Sequence, residues 1–239
     1  MKRTLIGMLT PSSNTVLEPV TSIMLAEAYP AITAHFARFR VKSISLDRES
    51  RDQFEQAPVV AAAELLADAN VDIIVWNGTS ASWLGFERDE ALCRTITERT
   101  GRPATSAILG LNHLLKQKGV RRLGLVTPYV SEIQQRIVAN YGASGVEILA
   151  EQHLGIKDNF SFSESTEDDI AGLCRKVETA KPDAVAILCT NMRGAFVAPR
   201  LEQELGLPIL DSVAFTLWKA LVELKAETSV LRRWGSLFE

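Results

Sequence analysis

Short apolar runs alternate along the chain with longer segments in which apolar residues recur at helical spacing. The runs have the length of β-strands, and the longer segments have the period of amphipathic helices. The runs predict strands at 4–10, 33–41, 72–77, 122–126, 146–151, 184–188 and 207–210. The periodic segments predict helices at 15–28, 56–69, 88–99, 107–118, 131–142, 166–179, 195–205 and 213–225. This alternation predicts an α/β protein built from right-handed βαβ units with mostly parallel strands.

The first part of the chain resembles the second. GMLTP near the start matches GLVTP in the middle, and TGRP matches LGLP further on. Asp72 and Asp183 open corresponding apolar runs, and the turns after these runs carry Gly78 and Cys189 at the same position. Matches that keep their order indicate an internal repeat. We therefore expect two pseudo-symmetric, flavodoxin-like halves, each a mostly parallel sheet flanked by helices, formed by residues 1–105 with 213–239 and by residues 106–212.

Charge and cysteine content narrow the classes of function. The formal net charge of −3, with dispersed Lys and Arg, argues against a nucleic-acid partner, because phosphate binding requires a basic surface. No apolar stretch reaches the length of about 18 residues that a membrane span needs, so we expect no membrane association. The three cysteines lie in no CxxC motif and far from any histidine in the sequence, which predicts no metal site and a reducing, cytoplasmic location.

Four polar loops follow predicted strands, at 10–14, 77–82, 127–131 and 189–193. Ligands of open parallel sheets bind beyond the carboxyl ends of the strands, and a pseudo-twofold would turn all four loops toward one cleft between the halves. Each loop also precedes a predicted helix, whose free N–H groups favour an anion. Such residues often serve only as helix caps, but four equivalent loops predict a site for a small carboxylate or dicarboxylate.

Cys189 differs from the other two cysteines in its predicted position. It stands at a strand-to-helix turn, whereas Cys93 and Cys174 fall within predicted helices among apolar neighbours and are expected to be core residues. Helix N–H groups near a thiol favour the thiolate, so we expect a lowered pKa at Cys189. Such a group can serve as a nucleophile or as an acid–base catalyst.

The motifs TPSSNT, GTS, TPY and CTN, in this order across two halves, resemble the aspartate/glutamate racemase superfamily. Within it they are similar to the branch of maleate cis-trans isomerases and arylmalonate decarboxylases, over essentially the whole chain. The resemblance implies a cofactor-independent, homo-oligomeric enzyme that acts at the α-carbon of a small carboxylate. Both turns carry cysteine in the isomerase pattern, whereas the first carries glycine in the decarboxylase pattern. Gly78 and Cys189 therefore resemble the decarboxylase pair.

The resemblance also implies roles for individual residues. Cys189 would be the acid that protonates an enediolate, with donors to the enediolate oxygens from the loops at 77–82 and 127–131. Two asparagines in PSSNT and KDNFSF instead match the isomerase pattern, in which they contact a substrate carboxylate. The predicted substrate-binding residues are Ser13, Asn14, Gly78, Thr79, Ser80, Tyr129, Asn159, Thr190 and Asn191.

The mixed pattern leaves alternatives open. Besides decarboxylation, the chain could be a maleate cis-trans isomerase or racemase-type enzyme that uses Cys189 as a nucleophile. A non-catalytic carboxylate-binding protein is the alternative from another class. Gly78 supplies no acid or base, so two-base inversion is not expected, and a Gly78→Cys substitution is expected to allow some racemase or isomerase activity.

Overall fold

A computed structural model describes residues 3–44 and 56–239 of the chain. Its strands are β1 (Thr4–Pro11), β2 (Ile32–Phe39), β3 (Ile73–Trp76), β4 (Ala104–Ser106), β5 (Arg122–Thr127), β6 (Glu147–His153), β7 (Ala184–Ile187) and β8 (Ile209–Asp211). Its α-helices are α1 (Leu17–Met24), α2 (Gln56–Asp68), α3 (Ala81–Leu84), α4 (Glu87–Thr100), α5 (Ala107–Gln117), α6 (Ser131–Ala143), α7 (Glu167–Glu178), α8 (Gly194–Leu205) and α9 (Ser212–Glu223). Short 3₁₀ helices cover Ala26–Ala28, Ser161–Glu164, Ser229–Trp234 and Ser236–Phe238.

The strands form two four-stranded sheets with the same internal order, β2-β1-β3-β4 and β6-β5-β7-β8. Every pairing within the two sheets is parallel. Helices connect successive strands, so the predicted α/β class with mostly parallel sheets flanked by helices is confirmed. The central strands β3 and β7 are completely buried, as their unbroken apolar sequences IIVW and AVAI require.

Two aspartates anchor corresponding strands in the same way. The Asp72 carboxylate accepts a hydrogen bond from the Leu5 N–H at 2.8 Å, and the Asp72 N–H donates to the Leu5 carbonyl at 2.7 Å. The Asp183 carboxylate likewise accepts from the Arg122 N–H at 2.9 Å, and the Asp183 N–H donates to the Arg122 carbonyl at 2.7 Å. The sequence match between these aspartates therefore corresponds to a repeated contact that fixes β3 against β1 and β7 against β5.

Helix α9 packs against α5, which precedes the second sheet, and against α1 and the strands β3 and β4 of the first sheet. Its start is fixed by Asp211, whose carboxylate accepts from the N–H groups of Val213 at 2.9 Å and Ala214 at 3.0 Å. The last helix therefore contacts strands of the first sheet as well as a helix that lies within residues 106–212. The division of the chain at residues 105 and 212 stays a prediction.

Two elements were missed by the sequence pattern. Strand β4 (Ala104–Ser106) has three residues, too few to show an alternation, and α3 (Ala81–Leu84) is a single turn. The helix predicted at 15–28 ends at Met24 and continues only as the 3₁₀ turn Ala26–Ala28. The other predicted strands and helices occur with shifted ends, as is usual for boundaries read from sequence.

Asp183→Asn tests the repeated anchor. Hydrogen bonds from the Arg122 side chain and from the N–H groups of Arg122 and Arg121 lower the pKa of Asp183 to about 2. A depressed pKa stabilises the fold above the unfolded value, and this contribution is lost as the pH falls from about 4 to about 2. We expect the variant to lose about 1 kcal/mol of unfolding free energy at neutral pH, after allowance for solvent screening.

Urea denaturation at neutral pH and near pH 2 measures this effect. The difference between the parent protein and the variant should shrink at the lower pH. Asp168→Asn is the matched control, because the Asp168 side chain is 95% exposed and its ion pair with Arg200 spans 3.8 Å, so its variant should stay within about 0.5 kcal/mol of the parent at both pH values. A loss at Asp183 that is no larger than the loss at Asp168 would contradict the anchoring role.

Candidate active site

The four polar loops meet at the carboxyl ends of β1, β3, β5 and β7. The Thr190 hydroxyl donates to the Asn77 carbonyl at 3.0 Å, and the Asn14 amide donates to the Thr190 hydroxyl at 3.2 Å. The hydroxyl oxygens of Thr79 and Tyr129 lie 2.6 Å apart. These contacts join loops that follow strands of both sheets, so the predicted convergence on one cleft is observed.

A small cavity lies where these loops meet. It offers about 20 Å³, enough for about one water molecule. The apolar residues that line it are Pro11, Val41, Ile44 and Trp83. The predicted site residues that line it are Gly78, Thr79, Ser80, Tyr129, Asn159, Cys189 and Thr190.

The other three predicted residues, Ser13, Asn14 and Asn191, do not line the cavity but form hydrogen bonds to residues at it or next to it. The Ser13 hydroxyl accepts from the Asn159 amide at 2.8 Å. The Asn191 side chain accepts from the Thr15 N–H at 2.9 Å and donates to the Asn159 carbonyl at 2.5 Å. Ser13 and Asn191 therefore position the Asn159 segment, which lies at the cavity.

Asn14 is almost fully buried, and both polar atoms of its side chain form hydrogen bonds within the protein. Its side-chain oxygen accepts from the N–H groups of Val16 and Leu17, both at 2.9 Å, and so caps the start of α1. Its amide nitrogen donates to Thr190, as described above. In this structure Asn14 holds the first loop against the last one and its polar atoms are directed at protein partners.

Cys189 lines the cavity and is 4% exposed. Burial raises the pKa of its thiol to about 12, although the Asn191 N–H, 3.4 Å from Sγ, and the Tyr129 hydroxyl both favour the thiolate. The expected lowered pKa is therefore wrong, because desolvation outweighs two hydrogen bonds. The thiol is protonated at neutral pH and can act as a proton donor.

Tyr129 connects the thiol to the first half of the chain. Its hydroxyl contacts both Cys189 and Thr79, and burial and the neighbouring Cys189 raise its pKa well above the usual value. Its ring packs against Trp83 and Phe162, with centroids 5.1 Å and 5.5 Å away. Tyr129 is therefore a neutral hydrogen-bond donor held firmly beside the thiol.

Cys93 and Cys174 are buried in α4 and α7, as expected for core residues. Burial raises the pKa of both thiols, that of Cys174 to about 12. Neither lines the cavity described above, so Cys189 is the one cysteine found there among residues 3–44 and 56–239.

Gly78 faces an obstacle that the sequence did not reveal. A Cβ atom added to Gly78 would lie 2.1 Å from Cζ2 of the Trp76 indole, far inside van der Waals contact. The expectation that Gly78→Cys alone supplies a second functional thiol is therefore revised, since a side chain there cannot coexist with the observed Trp76 position. Trp76 lies within the strand predicted at 72–77, and the sequence pattern assigns it no further role.

Within the part of the chain that the structure describes, no three or more His, Cys, Asp or Glu side chains cluster in a way that could hold a metal ion. Over the same residues, every helix is too short or too polar to cross a bilayer.

Comparison with characterised proteins finds the same two enzymes that the motifs resemble. The chain is 26% identical to a maleate isomerase from Geobacillus stearothermophilus, over 94% of this chain and 93% of that one. It is 24% identical to an arylmalonate decarboxylase from Bordetella bronchiseptica, over 96% and 97% of the two chains.

A solved structure of the Nocardia farcinica maleate cis-trans isomerase, with a covalently bound succinylcysteine intermediate, shares the fold. It superposes with a TM-score of 0.89 at 22% identity and covers 98% of both chains. A family model for arylmalonate decarboxylase matches residues 6–238. Because this match spans nearly the whole chain, including both sheets and all four loops of the cleft, the chain belongs to the arylmalonate decarboxylase family, within the aspartate/glutamate racemase superfamily of enzymes.

Proposed function

We propose that this enzyme decarboxylates a small α-substituted malonate without a cofactor and that Cys189 protonates the intermediate. The observation that carries the proposal is the pairing of one buried, protonated thiol with a glycine in the same cavity wall. Cys189 supplies an acid to the cavity, and Gly78, at the corresponding position of the first half, supplies no acid or base. This arrangement suits a reaction that needs a single proton transfer to carbon.

The proposed decarboxylation requires one electron pair to move and one proton to be transferred. The bond between the α-carbon and one carboxylate breaks, and CO₂ leaves. The electron pair of the broken bond stays with the α-carbon and delocalises into the remaining carboxylate, which forms an enediolate. The Cys189 S–H bond then breaks, and its proton forms a new C–H bond at the α-carbon. The thiolate regains a proton from water, so each turnover consumes one proton and restores the thiol.

Hydrogen-bond donors in the first half would stabilise the enediolate oxygens. The hydroxyl oxygens of Thr79 and Tyr129 lie 2.6 Å apart, and rotation of their hydrogens alone would let both hydroxyls donate to a bound carboxylate. Ser80 lines the same wall. Donors aimed at an oxyanion in a buried site contribute about 10²–10³-fold each to the rate.

The cavity wall also indicates the character of the substrate. The lining residues include the apolar Val41, Ile44 and Trp83 and the polar Asn159 and Thr190. We propose a dicarboxylate that carries an apolar substituent on its α-carbon. The substituent would contact the apolar lining residues, while a carboxylate would contact the polar ones. A homo-oligomer stays a prediction.

Cis-trans isomerisation of maleate is the second candidate. The relatives include maleate isomerases, and Asn159, which matches the isomerase pattern, lines the cavity. That reaction would use Cys189 as a thiolate that adds to a double bond. Burial raises the pKa of Cys189, which weighs against this candidate because a raised pKa makes the thiolate rare at neutral pH.

Cys189→Ser tests the proposed acid. A serine hydroxyl is a far weaker acid than a thiol, so we expect the rate of CO₂ release from an α-substituted malonate to fall at least about 10²–10⁴-fold. Circular dichroism and the thermal midpoint should match those of the parent. Cys174→Ser is the control for loss of a buried thiol away from the cavity and should keep its kcat. Retained activity in the Cys189 variant would remove this residue from the mechanism.

Tyr129→Phe tests the proposed oxyanion donor. Loss of the hydroxyl should lower kcat about 10²–10³-fold with a smaller change in KM, because the bond strengthens as charge develops. Tyr141→Phe is the matched control, since Tyr141 is equally buried and its hydroxyl has no hydrogen-bond partner among the described residues. Equal kcat values for the two variants would exclude Tyr129 as a donor.

A further inference from the structure

We propose that Trp76 is a specificity-determining residue that fills the space of a first-half catalytic side chain and confines proton transfer to the Cys189 face. The consequence for catalysis rests on the proposed function, whereas the packing relation between Trp76 and Gly78 does not. Trp76 is the last residue of β3, and Gly78 lies two positions later in the turn that follows.

The first observation is the direction of the missing side chain. A Cβ atom on Gly78 would lie 2.1 Å from Cζ2, 2.4 Å from Cε2 and 2.8 Å from Cη2 of the Trp76 ring. Real Cβ atoms essentially never approach another heavy atom within 3.0 Å. The indole therefore stands in the volume that any side chain at position 78 would enter. A large residue at 76 and a side chain at 78 exclude each other.

The second observation is that Trp76 is held in place. It ends the central strand β3, where it pairs in register with Leu9 of β1 and Ser106 of β4. The Phe39 ring packs on the indole at a centroid distance of 4.9 Å, and Trp76 is only 2% exposed. The Phe39 ring and this burial thus restrict the indole from turning away to admit a new side chain.

These observations give Trp76 a role in reaction specificity. Cys189 has no corresponding side chain at position 78, because the Trp76 indole occupies the space that such a side chain would need. Proton transfer to the substrate is then possible from the Cys189 side alone, and the product acid should form with one configuration. Introducing chemistry on the other face requires a smaller residue at 76 together with a functional side chain at 78.

A double-mutant cycle on stability tests the packing relation without any substrate. G78A should lower the folding equilibrium constant roughly 5- to 100-fold in the parent, as overpacking of a buried site does. In the W76L background the same change should cost less than about threefold, because the vacated space accepts the methyl group. W234L is the matched background, since it removes a buried indole elsewhere, and there G78A should cost as much as in the parent.

Urea denaturation of the six proteins supplies these constants. Equal costs of G78A in all three backgrounds would overturn the proposal. So would a G78A protein that is as stable as the parent, because the indole would then have moved aside freely. Either outcome is independent of whether the enzyme decarboxylates malonates.

Proton exchange tests the consequence for catalysis. In D₂O, with one enantiomer of an α-substituted product acid, W76L/G78C should racemise the acid while exchanging its α-proton, at a rate at least tenfold above that of G78C. W234L/G78C should behave like G78C. Racemisation by G78C as fast as by W76L/G78C would overturn the role of Trp76. A third outcome separates the two claims. If G78A costs less stability in the W76L background than in the parent, but the parent protein releases no CO₂ from malonates, the packing role of Trp76 is supported and the proposed function is contradicted.

Discussion

Burial of the Cys189 thiol between loops from both sheets is the constraint on which the site depends. The loops are joined by hydrogen bonds that link Asn14, Thr190 and Asn77, so that the cavity wall is continuous across the two sheets. Closing the wall removes water from the thiol and raises its pKa, which changes a potential nucleophile into a proton donor. The same closure gives the neutral Tyr129 and Thr79 hydroxyls their effect, because donors act most strongly on charge in a dry site.

Much of the fold follows from the sequence because its signals are local. Parallel strands buried on both faces appear as continuous apolar runs, and the repeated Asp72 and Asp183 mark the same anchoring contact twice. The convergence of the loops follows from topology, since carboxyl ends of parallel strands meet at one edge. Strand β4 escaped detection because three residues carry no period.

The electrostatics and the packing of the site could not be predicted in the same way. A helix N-terminus after Cys189 is visible in the sequence and suggests a lowered pKa, but the degree of burial depends on residues far apart in the chain, such as Tyr129 and Ile44. The clash between Trp76 and a side chain at 78 depends on the local path of one turn. Asn14 matches a substrate-binding motif, yet its side chain caps α1 and bonds Thr190 in the structure.

Proton NMR in D₂O of the unmodified enzyme with a panel of α-substituted malonates and maleate tests the account most directly. We predict loss of CO₂ from at least one malonate and a product that carries one deuterium at its α-carbon in a single configuration. Maleate should remain unchanged. Conversion of maleate to fumarate, with every malonate left intact, would contradict the account and identify Cys189 as a nucleophile instead of an acid.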